Sequence, residues 1–482
     1  MREQFSKNVR GGQTRAEWCR DFYQKTFKTG RLYLQDGGGH LVYVDPSFGP
    51  RRIFSASDFY GVLHSLVEVI TFRQDENNEW IARAGLLNRE ETATLYDSPE
   101  KTLLPVLRAV VFEPVVVPKG AGFRVIPPGF DPESGYYYWT APSTAPIPVI
   151  EGTEHLSKCF AGVPFERPAY KANLIAWLLG AISADQAMQT PFLVCDGNQQ
   201  GVGKTSVVQA AGYILSGGLP SPIDPRGQEF WKQLSTRFVE NDRVIFLDNI
   251  TTHRGGSYDN EHLSGLLTQG TSKRIRILGQ SKTVSAAGIL FAASLNDAKL
   301  SADLSERSLL IRLFREKNQP MVPYCKEYAI EHRRALYGEL LWLATQPAPP
   351  VEDSVHSNFR FRRWLQFVMP RVEKFFGPMG IEEARSLDDA TQELFSWGAD
   401  NVGSPFFAAE FLPKILSFAD RYPCLYQRVA SISSERGKAI SIGRLLKQHV
   451  GDVHSIQNSL KIKLVALPRD ESGNRYEFQE VK

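Results

Sequence analysis

Lys204 and Thr205 end a run, Gly197-Asn-Gln-Gln-Gly-Val-Gly-Lys-Thr205, that follows closely on the apolar residues Phe192, Leu193, Val194 and Cys195. A buried strand that feeds a glycine-bearing loop and then a helix gathers backbone N–H groups, one ammonium and one hydroxyl beyond the strand's end. Polyphosphate is the ligand such a set suits. The expected contacts to ATP are Gly197, Asn198, Gln199, Gln200, Gly201, Val202, Gly203, Lys204, Thr205 and Ser206. Lys204 would reach the β- and γ-phosphates, the Thr205 hydroxyl would hold Mg²⁺, and a helix over 202–213 would point its positive end at the anion. The strict spacing G-x-x-x-x-G-K-[ST] is missed, because Asn198 stands where the first glycine belongs and Gly197 lies one place earlier. A second apolar run, Arg243-Val-Ile-Phe-Leu-Asp-Asn249, ends in an acid. As a buried parallel strand it would deliver Asp248 to the same sheet edge, on the Mg²⁺ side of the site.

Such elements need a core. At 482 residues the chain has material for about three domains. Its 42% apolar and 23% charged residues are ordinary for a globular protein and exclude a disordered one. A net charge of +3 does not by itself announce nucleic acid, so any such contact must come from local patches. Cys19, Cys159, Cys195, Cys325 and Cys424 are scattered without C-x-x-C spacing, which argues against a zinc site or a disulfide framework. The N-terminus lacks the apolar centre of a signal peptide and no stretch approaches eighteen apolar residues, so a cytoplasmic location without a membrane partner is expected.

Along the chain, a basic lead segment over residues 1–30 precedes short alternating runs broken by glycine and proline clusters between 31 and 139, which read as a mixed α+β domain. The proline-rich stretch 140–148 is the best boundary. Helical periodicity over 171–187 leads into the glycine-bearing loop. Beyond Asp248 come a helix near 260–267, two short strands flanking 279–282, a buried strand at 288–294 and another at 304–313. Helices are expected over 323–344 and 359–376. A basic amphipathic helix at 441–450 and strands at 462–467 and 474–478 suggest a winged helix at the end.

Five ordered blocks now resemble the AAA+ helicases of phage, plasmid and chromosomal-island replication proteins, the helicase halves of prophage-type DNA primases related to superfamily III. They are the loop at 197–205, Phe246-Leu-Asp-Asn249, the stretch from Leu266-Leu-Thr268 to Arg276-Ile-Leu-Gly279, Ser294-Leu-Asn-Asp297 with Asp303-Leu304, and Arg307 before Leu310-Ile-Arg-Leu313. The resemblance implies a multidomain α/β chain: an N-terminal α+β domain over 1–140, a linker and helical lead-in over 141–190, and a P-loop ATPase core over 191–345. A helical region over 346–407 and a winged-helix-like domain over 408–482 complete it. It further implies Asn296 as the residue that senses γ-phosphate and Arg307 as a finger reaching the ATP of the next subunit. The active form would then be a homo-oligomeric ring, hexameric in this family. Where many AAA+ proteins have Asp-Glu, this chain has Asp248-Asn249, so the water-activating group is open between Asp248 and an acid elsewhere.

In the related helicases a hairpin enters the central channel, which makes Lys273, Arg274, Arg276 and Lys282 candidate contacts to single-stranded or forked DNA, against the alternative of solvated charge. In the tail, Arg444 and Lys447 are candidates either for DNA or for a protein partner. No Asp-x-Asp pair or zinc ligand set in the first 150 residues suggests a primase site, so a separate primase or polymerase would be a partner. The expected function is ATP-dependent DNA translocation in replication of a phage or mobile element. The rival is a nucleotide-switched initiator, helicase loader or assembly platform; a small-molecule kinase would not need Arg307 or the tail.

Overall fold

The computed structural model describes residues 3–6, 14–37, 39–74, 76–120, 122–185, 187–225, 229–240, 242–250, 257–270, 272–276, 283–295, 299–316, 325–349, 360–380, 389–417, 419–430, 432, 434–451, 453–456, 460–470 and 473–480. The chain forms two compact units, one of 1–248, 262–294 and 311–379, the other of 249–261, 295–310 and 380–482. Among the described residues no helix is long and apolar enough to cross a membrane.

In the first unit the basic lead segment contains the helix Arg15–Thr29, fixed at its start by a capping box between Thr14 and Glu17 and stopped by Gly30. It packs with Ala56–Leu66 on a four-stranded sheet of order Gly49–Ile53, Leu41–Asp45, Leu32–Gln35 and Val106–Leu107. Phe5, Phe22, Tyr23, Leu41, Ile53, Phe59 and Leu63 close that core. Residues 140–148 carry no regular structure, and the Arg334 guanidinium donates to the carbonyls of Ala145 and Pro146.

The central sheet has the order Pro222–Ile223, Val244–Ile250, Leu290–Leu295, Phe192–Gly197 and Ser308–Leu313. Phe192–Gly197 pairs parallel to Leu290–Leu295, with Cys195 opposite Ser294. Continuous apolar runs give this sheet its strands because both faces are covered. Helix Lys204–Ser216 covers it, buried through Val207, Val208, Ala211, Ile214 and Leu215. Helix Pro168–Ala181 is buried nearly all round, and Trp177 Nε1 donates to Pro191 O at 3.0 Å, anchoring the lead-in to the start of the strand.

Element ends differ from the sequence reading where a local signal was overridden. The helix after the loop starts at Lys204, not Val202, since Gly203 at φ 107° is its N-cap. The lead-in helix ends at Ala181, six residues early. Residues 304–313 are a short helix, Ala302–Ser305, then a strand, Ser308–Leu313. At the start of the helix Arg362–Phe376, Phe361 and Trp364 are core residues while Arg362 and Arg363 are exposed.

In the second unit, Asp389–Asp400, Ala408–Ser417, Pro423–Ala430 and Glu435–Gln448 pack beside an antiparallel sheet of order Phe406–Phe407, Gly473–Glu480, Leu460–Asp470 and Val453–Ile456. Trp397, Phe406, Phe411 and Phe478 form its aromatic centre, with the Phe406 and Phe478 rings stacked at 5.8 Å. The helix begins at Glu435, capped by Ser434, six residues before the expected start.

Candidate functional site

The loop between Gly197 and Lys204 is shaped by close approach. A β-carbon on Gly197 would lie 2.5 Å from Val202 Cγ1 and 3.3 Å from Leu313 O, so only glycine lets Val202 fold under the loop, where it is buried. Gly201 and Gly203 are both left-handed, at φ 70° and 107°. No side chain caps the helix at Gly203, which leaves first-turn N–H groups facing the loop's concavity. Lys204, Thr205 and Ser206 are half-buried on that first turn.

Asn198 has a distinct task. Its backbone N–H donates to Leu313 O (3.1 Å), its Nδ2 donates to Arg315 O (2.9 Å) and its Oδ1 accepts from Arg315 N (3.1 Å). Gln199 Nε2 donates to the same Arg315 carbonyl at 3.0 Å. The residue standing in the first glycine's place thus extends the sheet pairing with its side chain and clamps the loop to the end of the Ser308–Leu313 strand. Beneath it, burial pushes the Cys195 thiol far up, making it a core side chain and not a nucleophile.

Asp248 leaves its strand facing this loop. Its Oδ1 lies 3.3 Å from the Thr205 hydroxyl and accepts from Ser294 Oγ at 2.5 Å. A carboxylate and a hydroxyl side by side, both oxygen donors, suit a hard divalent cation such as Mg²⁺. The next residue, Asn249, is left-handed at φ 57°, one of two non-glycine residues with positive φ among those described.

The remaining sequence candidates are not all in this cluster. Asn296 and Lys282 lie outside the described residues. Arg307 is 11% exposed and binds its own Asp303 through two hydrogen bonds, Nε to Oδ2 at 2.9 Å and Nη2 to Oδ1 at 2.7 Å. Arg274 and Arg276 are exposed on the strand Ser272–Arg276, and Arg444 and Lys447 on Glu435–Gln448.

Lys273 is a correction. It is 3% exposed, and its Nζ donates to the carbonyls of Leu266, Gln269 and Gly270 at 3.1–3.3 Å. Buried ammonium that caps a helix C-terminus is not presented to DNA; burial pulls its pKa down to about 8.

Two residues at the site were not singled out from sequence. Ser294 holds Asp248, and the one hint was its place at the end of the strand that leads to Asn296. Arg315 sits beside the loop, its backbone held by Asn198 and its Nε buried without a hydrogen-bond partner among the described residues. No sequence signal marked it.

A comparison with protein-family models gives no match, and one with curated proteins gives none either. Among solved structures, the chain is similar to the apo NrS-1 C-terminal region at 11% identity and TM-score 0.41, covering 95% of this chain and 98% of that one. It is also similar to SCCmec type IV Cch, described as an active helicase, at 10% identity and TM-score 0.34, over 77% of each chain. JCV helicase aligns at 12% identity and TM-score 0.26, over 47% of this chain and 66% of that one. At such scores these likenesses assign no residue a role.

Proposed function

We propose that this chain is an ATP-dependent, homo-oligomeric DNA translocase or helicase serving replication of a phage or mobile element. The observation that carries the reading is the convergence of Lys204, Thr205, Asp248 and Ser294 at one sheet edge, beside a helix N-terminus that no side chain caps. Thr205 and Asp248 would hold Mg²⁺, which supplies charge neutralisation on the phosphate oxygens. Lys204 would pair with the outer phosphates and the first-turn N–H groups of Lys204–Ser216 would receive the remainder. Asn296 is the proposed γ-phosphate sensor and Arg307 the finger offered to the next subunit, a role worth about 10³–10⁵ in turnover where such fingers act in trans. Arg274, Arg276 and Lys282 would contact single-stranded DNA, and Arg444 and Lys447 would do so from a winged-helix-like domain.

The ion pair between Arg307 and Asp303 and the amide at position 249 favour a second reading, a nucleotide-switched loader or assembly platform. In it, nucleotide would release Arg307 and drive assembly without processive movement.

ATP hydrolysis by wild type, Lys204→Ala and Arg307→Ala, with and without single-stranded DNA and with particle mass recorded, separates the two. The translocase reading expects several-fold stimulation by DNA, loss of turnover in both variants and an active ring. Nucleotide-driven assembly that ignores DNA would select the platform, and hydrolysis indifferent to Lys204→Ala would sink both.

A further inference from the structure

Asn198 stands where the strict phosphate-loop spacing has a glycine, and Asn198→Gly would complete G-x-x-x-x-G-K-[ST] over residues 198–205. The backbone at 198 makes no demand for glycine. Among the described residues only Asn78 and Asn249 have a positive φ without being glycine. The demand falls one residue earlier, at Gly197, where a β-carbon would meet Val202 Cγ1 at 2.5 Å and Leu313 O at 3.3 Å. The close approach that folds the loop is made there, and position 198 is left open to a side chain.

That side chain behaves as one more strand residue. Nδ2 donates to Arg315 O (2.9 Å) and Oδ1 accepts from Arg315 N (3.1 Å), so one amide pairs with both backbone groups of Arg315. The Asn198 N–H on Leu313 O and Gln199 Nε2 on the Arg315 carbonyl tie the first two loop residues to the same short segment. The anchor is itself held from its other side. Phe314 N–H donates to Pro164 O at 2.8 Å, and Glu166 N–H donates to Arg312 O at 2.9 Å. Beyond the clamp the loop runs through Gly201 and Gly203, both left-handed, and glycine loses the most freedom when a ligand fixes it. A loop already fastened at its start leaves less for a nucleotide to order, and the difference appears as affinity.

We propose that Asn198 is a positioning residue: its amide pre-forms the loop for nucleotide through the Arg315 backbone, and a glycine in its place weakens binding although it completes the motif. This role rests on the nucleotide reading of the loop. It leaves Lys204, Thr205 and Asp248 untouched, so it acts on affinity and not on the hydrolytic step.

The test uses the full chain, wild type beside Asn198→Gly, Asn198→Ala and Lys204→Ala. Each protein is titrated with a fluorescent ADP in Mg²⁺, assayed for hydrolysis across an ATP series, and melted without nucleotide. Loss of the two amide hydrogen bonds predicts that both Asn198 variants bind ADP roughly tenfold more weakly. KM for ATP rises with it while kcat stays within about twofold. Asn198→Ala keeps a β-carbon and reads the clamp alone; Asn198→Gly binds more weakly still, because it also loosens the backbone. Affinity in Asn198→Gly equal to or above that of wild type, with Lys204→Ala impaired, overturns the role of Asn198 and spares the nucleotide reading. A lowered melting temperature with KM unmoved would make the amide merely structural, and a fall in kcat at constant KM would put it in the chemical step; either overturns the proposal. Affinity indifferent to Lys204→Ala removes the nucleotide reading, and this role with it.

Discussion

Asn249 sits in the left-handed region, which costs most side chains about 1–2 kcal/mol and asparagine least. The Asp-Asn pair therefore has a backbone reason: a glutamate here would be strained before it could orient a water. On the proposed reading the metal-side role falls to Asp248, which Ser294 would aim through its 2.5 Å hydrogen bond to Oδ1. A hydrogen bond to a charged group contributes about 1.5–3 kcal/mol, and about 1.4 kcal/mol is a factor of ten. Ser294→Ala should accordingly raise the Mg²⁺ concentration for half-maximal ATP hydrolysis roughly tenfold, while affinity for metal-free ATP stays the same. Turnover measured across a Mg²⁺ series checks this, and an unmoved midpoint would remove Ser294 from the site.

The strand Ser272–Arg276 shows what was legible at the scale of elements and what was not. Lys273 pairs with Ala286 across the hairpin, and Lys273, Ile275 and Ala286 are buried while Arg274 and Arg276 are exposed. Counting positive charges missed this alternation; Ile275 at spacing two was the available signal that Lys273 points inward. The strand, loop and helix around Lys204 were readable because an apolar run, glycines and a helical pattern coincide within a short stretch. Ser294 and Arg315 were not, because their partners Asp248 and Asn198 lie 46 and 117 residues away. Lys273→Met tests the inward lysine: it should lower the melting temperature and leave DNA affinity unchanged, where a channel lysine would do the reverse. The pH dependence carries a sign as well. With Lys273 at about 8 in the folded chain against 10.5 unfolded, the unfolded state holds more protons between those values. Stability from this residue rises with pH across that window, and Lys273→Met should flatten the rise in melting temperature measured there.

At the scale of the whole molecule, the proposed translocase would have a site incomplete within one chain, and Arg307, paired with Asp303 in the single chain, would have to leave that pair to reach a neighbour's nucleotide. A finger given in trans implies a head-to-tail interface, which makes a ring when its rotation closes and a filament when it does not. Such an arrangement can be tested with two inactive proteins. Arg307→Ala keeps an intact loop but offers no finger; Lys204→Ala keeps the finger but has a crippled loop. In a ring assembled at random from equal amounts of both, about one interface in four joins an intact loop to an intact finger, so the mixture should recover up to about a quarter of wild-type turnover. Recovery would also require exchange of protomers, so mixing the two before nucleotide-driven assembly should work better than mixing after it. If the premixed proteins assemble yet hydrolyse no more ATP than each alone, Arg307 completes no neighbouring site and the switched-platform reading gains the ground the translocase loses.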